Sequence, residues 1–432
     1  MKIQAQKLMD FLDQSPVNFF AVSNVAGALD RAGYVSLEAS APWSITRGGR
    51  YYLTVNDSAI FAVQIPESWN PADGYRIIAS HSDSPCFRVK PSPAISGPGG
   101  ITRLNTEVYG GPILSTWFDR PLSLAGRAIV RDDNPLMPRR VLIKWDRPLL
   151  TIPNLAIHFN RAVNDGVKLS PQKDMLPVIG LLPDAKAANE ALNKMVAEAA
   201  GCEVADLLDF DLMLYDTTPA EIVGIDGEFV TSGRLDDLEM VHASLEALIE
   251  SDGTPCRQAR VLAVFDNEET GSGTKQGAAA PVLPSMLRRI TSLLGGSAED
   301  YDRALAQSFM ISADNAHAYH PNYPEKYDPT NHPVPGGGPV IKINARCKYM
   351  TDADSAAVFA DICERAGVPC QRFVNHSDVA GGSTLGNIFS AQMPVRGVDM
   401  GNAIWAMHSC RETGSAVDHV YTIKAFTTFY TL

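Results

Sequence analysis

Arg260-Val261-Leu262-Ala263-Val264-Phe265-Asp266-Asn267-Glu268-Glu269-Thr270-Gly271-Ser272 passes within thirteen residues from an apolar run to a cluster of acids. It opens as a short continuous apolar run, the pattern of a strand buried on both faces in a parallel sheet. It ends abruptly in four residues, Asp266 to Glu269, of which three are carboxylates, and then in a flexible Gly-Ser-Gly. Carboxylates at the end of a buried strand must be solvated, paired or bound to cations, because leaving them unpaired is costly. The carboxyl ends of strands are also where open α/β sheets bind ligands. In extended backbone the neighbours Glu268 and Glu269 point in opposed directions, so one can hold a metal while the other handles water or a proton. The competing reading is a solvated acidic turn, and the rest of the chain has to decide between them.

The chain has 432 residues, enough for about two or three domains. Its 45% hydrophobic and 20% charged content is that of an ordinary globular protein. A formal net charge of -12 argues against nucleic acid or an anionic membrane as a general partner. No run has the length of a membrane span, and the first residues do not read as a signal peptide. Seven scattered cysteines, odd in number and without Cys-x-x-Cys, read as reduced thiols in a cytoplasmic protein. Imidazole and carboxylate are left as the ligands for any metal.

Helical spacing covers Ile3–Asp13 and a second helix is predicted from Asn24 to Ala32. Strands are predicted at Arg50–Val55 and Ala59–Ile65, then at Tyr75–Ser80, which runs into His81-Ser82-Asp83. A His two residues from an Asp at a strand end suits a ligating imidazole oriented by a carboxylate. From about Pro91 to Ala220 the character changes to turn punctuation and short strands (Ala128–Val130, Val141–Trp145), with one helix at Ala185–Ala200 capped by Gly201. This reads as a mostly β insert within an α/β fold. His158, inside the insert, reads as structural when taken alone. The α/β pattern resumes with Arg234-Leu235-Asp236-Asp237 and a helix over Leu238–Glu250, where either Asp can be a simple N-cap. A helix around Ser285–Leu294, a strand Phe309–Ala313 ending in Asp314, a strand Val340–Asn344, a helix Asp354–Ala366 and a strand Cys370–Val374 follow, and then His408.

The possible ligands at these ends are His81, Asp236, Glu269, Asp314 and His408, with Glu268 left over. Two divalent ions about 3.5–4 Å apart want one bridging carboxylate plus a His and a second carboxylate each, and the inventory fits. Oxygen and nitrogen ligands without thiolate suit zinc, with manganese or cobalt as other occupants. No phosphate-binding Gly-rich motif, no Gly-x-Ser-x-Gly and no cysteine-nucleophile signature occurs.

The residues also carry a resemblance. His81-Ser-Asp83-Ser-Pro, Gly110-Gly-Pro with Trp117-Phe-Asp119-Arg, Asn154-Leu-Ala-Ile-His158, Arg234-Leu-Asp236-Asp, Glu268-Glu269-x-Gly-Ser, Ser312-Ala-Asp314-Asn-Ala-His317, His320-Pro-Asn322-Tyr, Ile341-Lys342-Ile-Asn and Met407-His408-Ser look like the aspartyl aminopeptidase family of dinuclear zinc exopeptidases. The match runs in order along nearly the whole chain. It implies an α/β, mixed-sheet zinc-exopeptidase catalytic domain with helices on both faces (residues 1–93 and 222–432), interrupted by a mostly β dimerisation domain (94–221). It further implies hydrolysis of the N-terminal residue from peptides with a free N-terminus, with preference for Asp or Glu, by a water bridged between two Zn2+ ions.

By the same resemblance Asp236 bridges the ions, His81 and Asp314 complete one site, Glu269 and His408 complete the other, and Glu268 is the general base. Asp83 stands behind His81. His158 is delivered to a neighbouring subunit's active site, which reverses its structural reading. Lys342 meets the acidic substrate side chain, with His317 and His320 as further substrate-binding candidates. Dimers build a dodecamer. The chain departs from the family at Asn267, where a His is common, and differs from eukaryotic members at Asn375-His376-Ser377-Asp378. A deacylase or carboxypeptidase on the same dinuclear site, and a non-catalytic scaffold, are the alternative functions.

Overall fold

A computed structural model describes residues 2–432, with side chains from residue 3 onward. The described residues divide into two compact units, one of residues 2–83, 220–407 and 412–432, the other of residues 84–219 and 408–411.

The first unit is built on nine strands: β1 (Val35–Leu37), β2 (Arg50–Val55), β3 (Ala59–Gln64), β4 (Tyr75–His81), β5 (Ala259–Phe265), β6 (Phe309–Ala313), β7 (Val340–Ile343), β8 (Gln371–Val374) and β9 (Arg396–Gly401). Their order in the sheet is β1-β2-β3-β5-β4-β6-β9-β7-β8. The middle run β5-β4-β6-β9 is parallel, while β3 and β7 pair antiparallel on either side of it. The opening stretch is therefore a central strand, and every residue of β5 is buried.

Both faces of the sheet are covered, as the continuous apolar runs require. Ile78, Leu262 and Ile311 point into one core, which is closed by the helices Lys2–Gln14, Asn18–Arg31, Leu235–Glu250, Ala353–Arg365 and Ala416–Thr431. Ile77, Ala79, Val261, Ala263 and Met310 point into the other, beneath Val282–Leu293, Ala298–Gln307 and Leu385–Phe389. Each fully buried Leu, Ile or Phe in these layers contributes about 1.5–3 kcal/mol of transfer free energy. The helix Asn18–Arg31 begins earlier than the predicted Asn24, directly after the turn at Pro16. The final helix, Ala416–Thr431, escapes sequence reading because its run of threonines and aromatics has modest helix propensity. Burial of Ile423, Phe426 and Tyr430 holds it in place.

The second unit is an antiparallel six-stranded sheet in the order Arg139–Lys144, Leu122–Val130, Leu207–Asp216, Cys86–Ser96, Ile101–Tyr109, Val178–Leu181. The helix Ala185–Ala200 buries Leu192 and Val196, and is capped by the Asp184 carboxylate at one end and a left-handed Gly201 at the other. The expected boundary at residue 93 moves to 83, because Cys86–Ser96 is a strand of this sheet rather than turn punctuation. Its prolines are accommodated by a register shift between Val89 and Ala94, with Ser92 at φ 50.

Candidate metal centre

Four segments of the first unit converge at the carboxyl ends of the parallel strands. His81 is the last residue of β4 and is 1% exposed. Its backbone N–H donates to Asp237 Oδ2 at 3.0 Å, and its Nδ1–H donates to the Asp83 carbonyl at 3.0 Å. That second bond fixes the tautomer and leaves the lone pair on Nε2, which lies 3.7 Å from Asp236 Oδ1. Burial alone would push the imidazole pKa down. Asp237, Asp236 and Asp83 outweigh it and raise His81 well above the ordinary value.

Asp236 and Asp237 follow Arg234, which has φ 63, and they adopt non-helical angles at the mouth of the helix Leu235–Glu250. The peptide bond between them is cis. The two are 3% and 0% exposed, and the N-cap position is taken by Arg234, so neither is the simple N-cap that the sequence alone allowed. Burial raises the Asp237 carboxyl well above its ordinary value, opposed by His81 and reinforced by Asp314 and Asp236. Asp314 follows β6, and its N–H donates to the Met400 carbonyl at 2.9 Å. Gly401 makes that approach feasible, since a Cβ there would lie 2.0 Å from the Asp314 carbonyl. Burial raises Asp314 as well, and the Lys342 ammonium, 3.3 Å from Oδ1, opposes the shift.

Glu268 and Glu269 stand on a single 3-10 turn after Asn267 at φ 61, rather than on extended backbone. Both of their N–H groups donate to one carboxylate, Asp83, at 3.2 and 3.1 Å. Asp83 therefore faces His81 on one side and anchors the Glu-Glu turn on the other. Loss of surrounding water raises Glu268 well above its ordinary value, with His81 opposing and Asp314, Glu269 and Asp83 adding.

Single ligand atoms of His81, Asp236, Asp237 and Asp314 lie within 4.8 Å of one another, and so do those of His81, Glu268 and Glu269. Asp237 Oδ1 is buried without a hydrogen-bond partner. So many buried carboxylate oxygens around one imidazole are an unstable arrangement unless protons or cations neutralise them. The donor set, oxygen and nitrogen without sulfur, fits divalent zinc, manganese or cobalt.

The other expected site residues are placed as follows. His408 belongs to the segment 408–411 of the second unit, at φ 70, with Nδ1–H donating to the Gly111 carbonyl at 3.1 Å. That bond leaves the lone pair on Nε2, as at His81. His158 is exposed on a turn of the second unit. Lys342, on β7, is 3% exposed and donates to the Asn315 carbonyl at 2.9 Å. His317 is exposed and meets Phe373 edge-on at 5.8 Å, while His320 packs 4.9 Å from Tyr323. None of His158, His317, His320 or Lys342 joins the clusters of ligand atoms among the described residues. Asp237 is the functional candidate that sequence reading left as a cap. Its only signal was the doubled Asp of Arg234-Leu-Asp-Asp.

A family model described as "Aminopeptidase I zinc metalloprotease (M18)" matches residues 11–430. The chain belongs to the M18 family. Among relatives, it is 47% identical to a probable M18 family aminopeptidase 2 of Clostridium novyi, over 99% of this chain and 98% of that one. It is 41% identical to the protein of the same description from Pseudomonas aeruginosa, over 98% and 97%. Among solved structures, the one titled as the Ape4 and Nbr1 complex superposes with a TM-score of 0.95 at 36% identity, covering 100% of this chain and 86% of that one. The dodecamer of mApe1 from S. cerevisiae gives 0.87 at 27% identity, covering 100% and 97%. This M18 protein is thus a metallo-aminopeptidase, hydrolysing peptides at the N-terminus with the help of metal. The family resemblance read from the sequence and the mixed-sheet exopeptidase fold are both met. No helix among the described residues is long and apolar enough to cross a membrane.

Proposed function

We propose that this enzyme uses two divalent cations, zinc foremost, to remove N-terminal residues with a preference for Asp and Glu. The observation that carries the proposal is the buried convergence of His81, Asp236, Asp237 and Asp314 beside the Glu268-Glu269 turn. Asp236 is assigned to both ions, His81 and Asp314 to one, Glu269 and His408 to the other. When bound, the ions supply Lewis-acid polarisation of the scissile carbonyl and acidify water. Glu268 is then the general base. Its carboxylate takes a proton from the attacking water and returns it to the leaving amine. The turn that Asp83 grips keeps Glu268 at a fixed distance from the neighbouring ligand Glu269.

The acidic preference is assigned to Lys342. An ammonium has three donors. One goes to Asn315 and one faces Asp314, leaving a third for a substrate carboxylate. The same contacts give Lys342 a second duty, holding Asp314 in place. His317 and His320 remain proposed as substrate-binding residues. We also propose a cytoplasmic homo-oligomer, a dodecamer built from dimers through the second unit, with His158 contributed to a neighbouring subunit's site. The exposed Leu155, Ile157 and Phe159 flanking His158 support a contact with another copy.

The test is hydrolysis of peptides beginning with Asp, Glu, Leu or Ala, with free or blocked N-termini, by the wild type and by Lys342→Ala. Chelator should abolish activity, added Zn2+, Mn2+ or Co2+ should restore it, and blocked peptides should not be cut. Lys342→Ala should slow all substrates through Asp314, and the acidic ones by a further 1.5–3 kcal/mol or so as a charge-assisted bond is lost. Equal losses on all four would remove Lys342 from specificity. Cleavage of blocked peptides would overturn the aminopeptidase reading of the site.

A further inference from the structure

Asp236 faces a problem of backbone support. It lies at the entry of the helix Leu235–Glu250, with φ -83 and ψ 106, outside helical geometry. The first N–H groups of a helix have no partner within it. The preceding residue but one, Arg234, is left-handed, so the segment cannot continue the ladder of the strand Phe229–Ser232 either. The Asp236 N–H instead donates to Glu412 Oε2 at 3.0 Å. Glu412 is 1% exposed.

Its position is set by the sheet. Glu412 opens the strand Glu412–Ser415, which pairs antiparallel with Phe229–Ser232 in four registered positions, and Glu412 stands opposite Ser232. The strand that delivers the chain to Asp236 is therefore laced to the strand that carries the acceptor. Packing keeps them close: a Cβ on Gly414 would come within 3.6 Å of Leu235 Cδ1. The arrangement repeats what Asp83 does for Glu268 and Glu269, and what Asp237 does for His81. In each case a buried carboxylate holds the backbone amide of a residue assigned to the metal centre.

We infer that Glu412 is a positioning residue for Asp236, acting through its hydrogen bond to the Asp236 amide rather than through its charge. This rests on the assignment of Asp236 as a metal ligand. An acceptor oxygen is what the geometry requires, and the negative charge itself adds to a cluster already crowded with carboxylates. Glu412→Gln keeps the acceptor and removes the charge. Glu412→Leu removes the acceptor. Glu412→Asp keeps the charge and withdraws the oxygen by one methylene.

The experiment measures Zn2+ affinity of the full chain by chelator competition without substrate, together with kcat and KM on one peptide and the urea midpoint of chelator-treated protein. Glu412→Leu and Glu412→Asp should weaken Zn2+ binding 10–100-fold, the usual consequence of losing a group that orients a ligand, and lower kcat more than KM. Glu412→Gln should restore most of both. If Glu412→Leu fails to fold, the Asp and Gln pair carries the comparison. Glu412→Gln as impaired as Glu412→Asp would overturn the inference in favour of a charge role, and wild-type affinity in Glu412→Asp would overturn it outright. Wild-type protein that binds no Zn2+ would instead overturn the reading of the metal centre, leaving the two failures distinguishable.

Discussion

The centre of the first unit and the exposed sheet face of the second hold their ionisable groups differently. In the first, Asp83, Asp236, Asp237, Glu239, His242 and His419 are each less than 5% exposed, and they are held by backbone amides, amides of Asn side chains and one another. In the second, ion pairs such as Arg88–Asp211, Arg127–Asp211 and Lys144–Asp146 lie along a sheet with solvent beside them. Buried charge is expensive and persists where chemistry or a cation requires it, whereas exposed pairs contribute little. Substitutions of these buried groups should therefore remove function, and substitutions of the exposed pairs should mostly be tolerated. The difference can be probed in steps of decreasing effect.

The largest effect belongs to Glu268. Glu268→Gln should retain the fold and the bound metal while lowering kcat by about 10²–10⁴, the range typical of general acid–base help. Turnover near wild type at full metal occupancy, measured by elemental analysis beside the kinetics, would remove Glu268 from the proton transfer.

His158 is where the comparison should break. It is an exposed residue of the second unit, yet it is assigned to catalysis in another copy. His158→Ala and Glu268→Gln proteins, each nearly inactive, should regain activity when co-assembled, because some mixed sites combine an intact Glu268 with an intact His158. Mixtures that hybridise, as shown by differential tags, but stay inactive would return His158 to the tolerant class.

How much of this was legible in the sequence follows from the range of the interactions. Strands β4, β5 and β6 announced themselves because each is an apolar run broken at its end by His81, Glu268-Glu269 or Asp314, and burial and chemistry are both local signals there. The strand Cys86–Ser96 was hidden by Pro91 and Pro93, whose tolerance depends on a bulge that only the partner strand reveals. The duties of Asp83, Asp237 and Glu412 were less legible still. Each bonds the amide of a residue at least 156 positions away, so no spacing along the chain records it.

A smaller effect should appear in stability against pH. Glu239 lies behind Asp236 with its Oε1 accepting from Asn402 at 2.7 Å. Burial pushes its carboxyl from an ordinary 4.5 to about 8. The folded chain therefore holds a proton that the unfolded chain gives up above pH 4.5, so this contribution to stability is full below 4.5 and is lost as pH rises toward 8. His242, pushed down by burial to about 4, has the opposite sign and loses its contribution as pH falls below 6.5. Above 6.5 the His242 contribution no longer changes, and Glu239 acts there in the same direction as His81, Asp237 and Glu268, whose proton loss burial and neighbouring charges also push upward. Chelator-treated wild type should lose stability there, with Glu239 accounting for up to about 1.4 kcal/mol per pH unit of the loss. Glu239→Gln should reduce that slope by the share of one proton in urea titrations, and an unchanged slope would show that Glu239 is ionised in the folded protein.

The smallest effect is expected at Arg88, where the contrast between the units is cleanest. The Arg88 side chain is 45% exposed and its partner Asp211 22%, and they meet at 2.5 Å on neighbouring strands of the second unit. Distance alone would make this a strong pair. Solvent screening and the entropy of ordering a long side chain reduce such pairs to about 0–1 kcal/mol. Asp211 also keeps Arg127, whose Nε donates at 3.0 Å, so removal of Arg88 does not strand a buried carboxylate. Arg88→Ala should accordingly shift the urea midpoint by less than about 1 kcal/mol equivalent and leave kcat, KM and Zn2+ affinity unchanged. A loss of several kcal/mol would mean that this face is covered in the assembled enzyme, where the pair is desolvated and its removal becomes costly. In that case the second unit would share the first unit's rule that charge is buried where the assembly needs it.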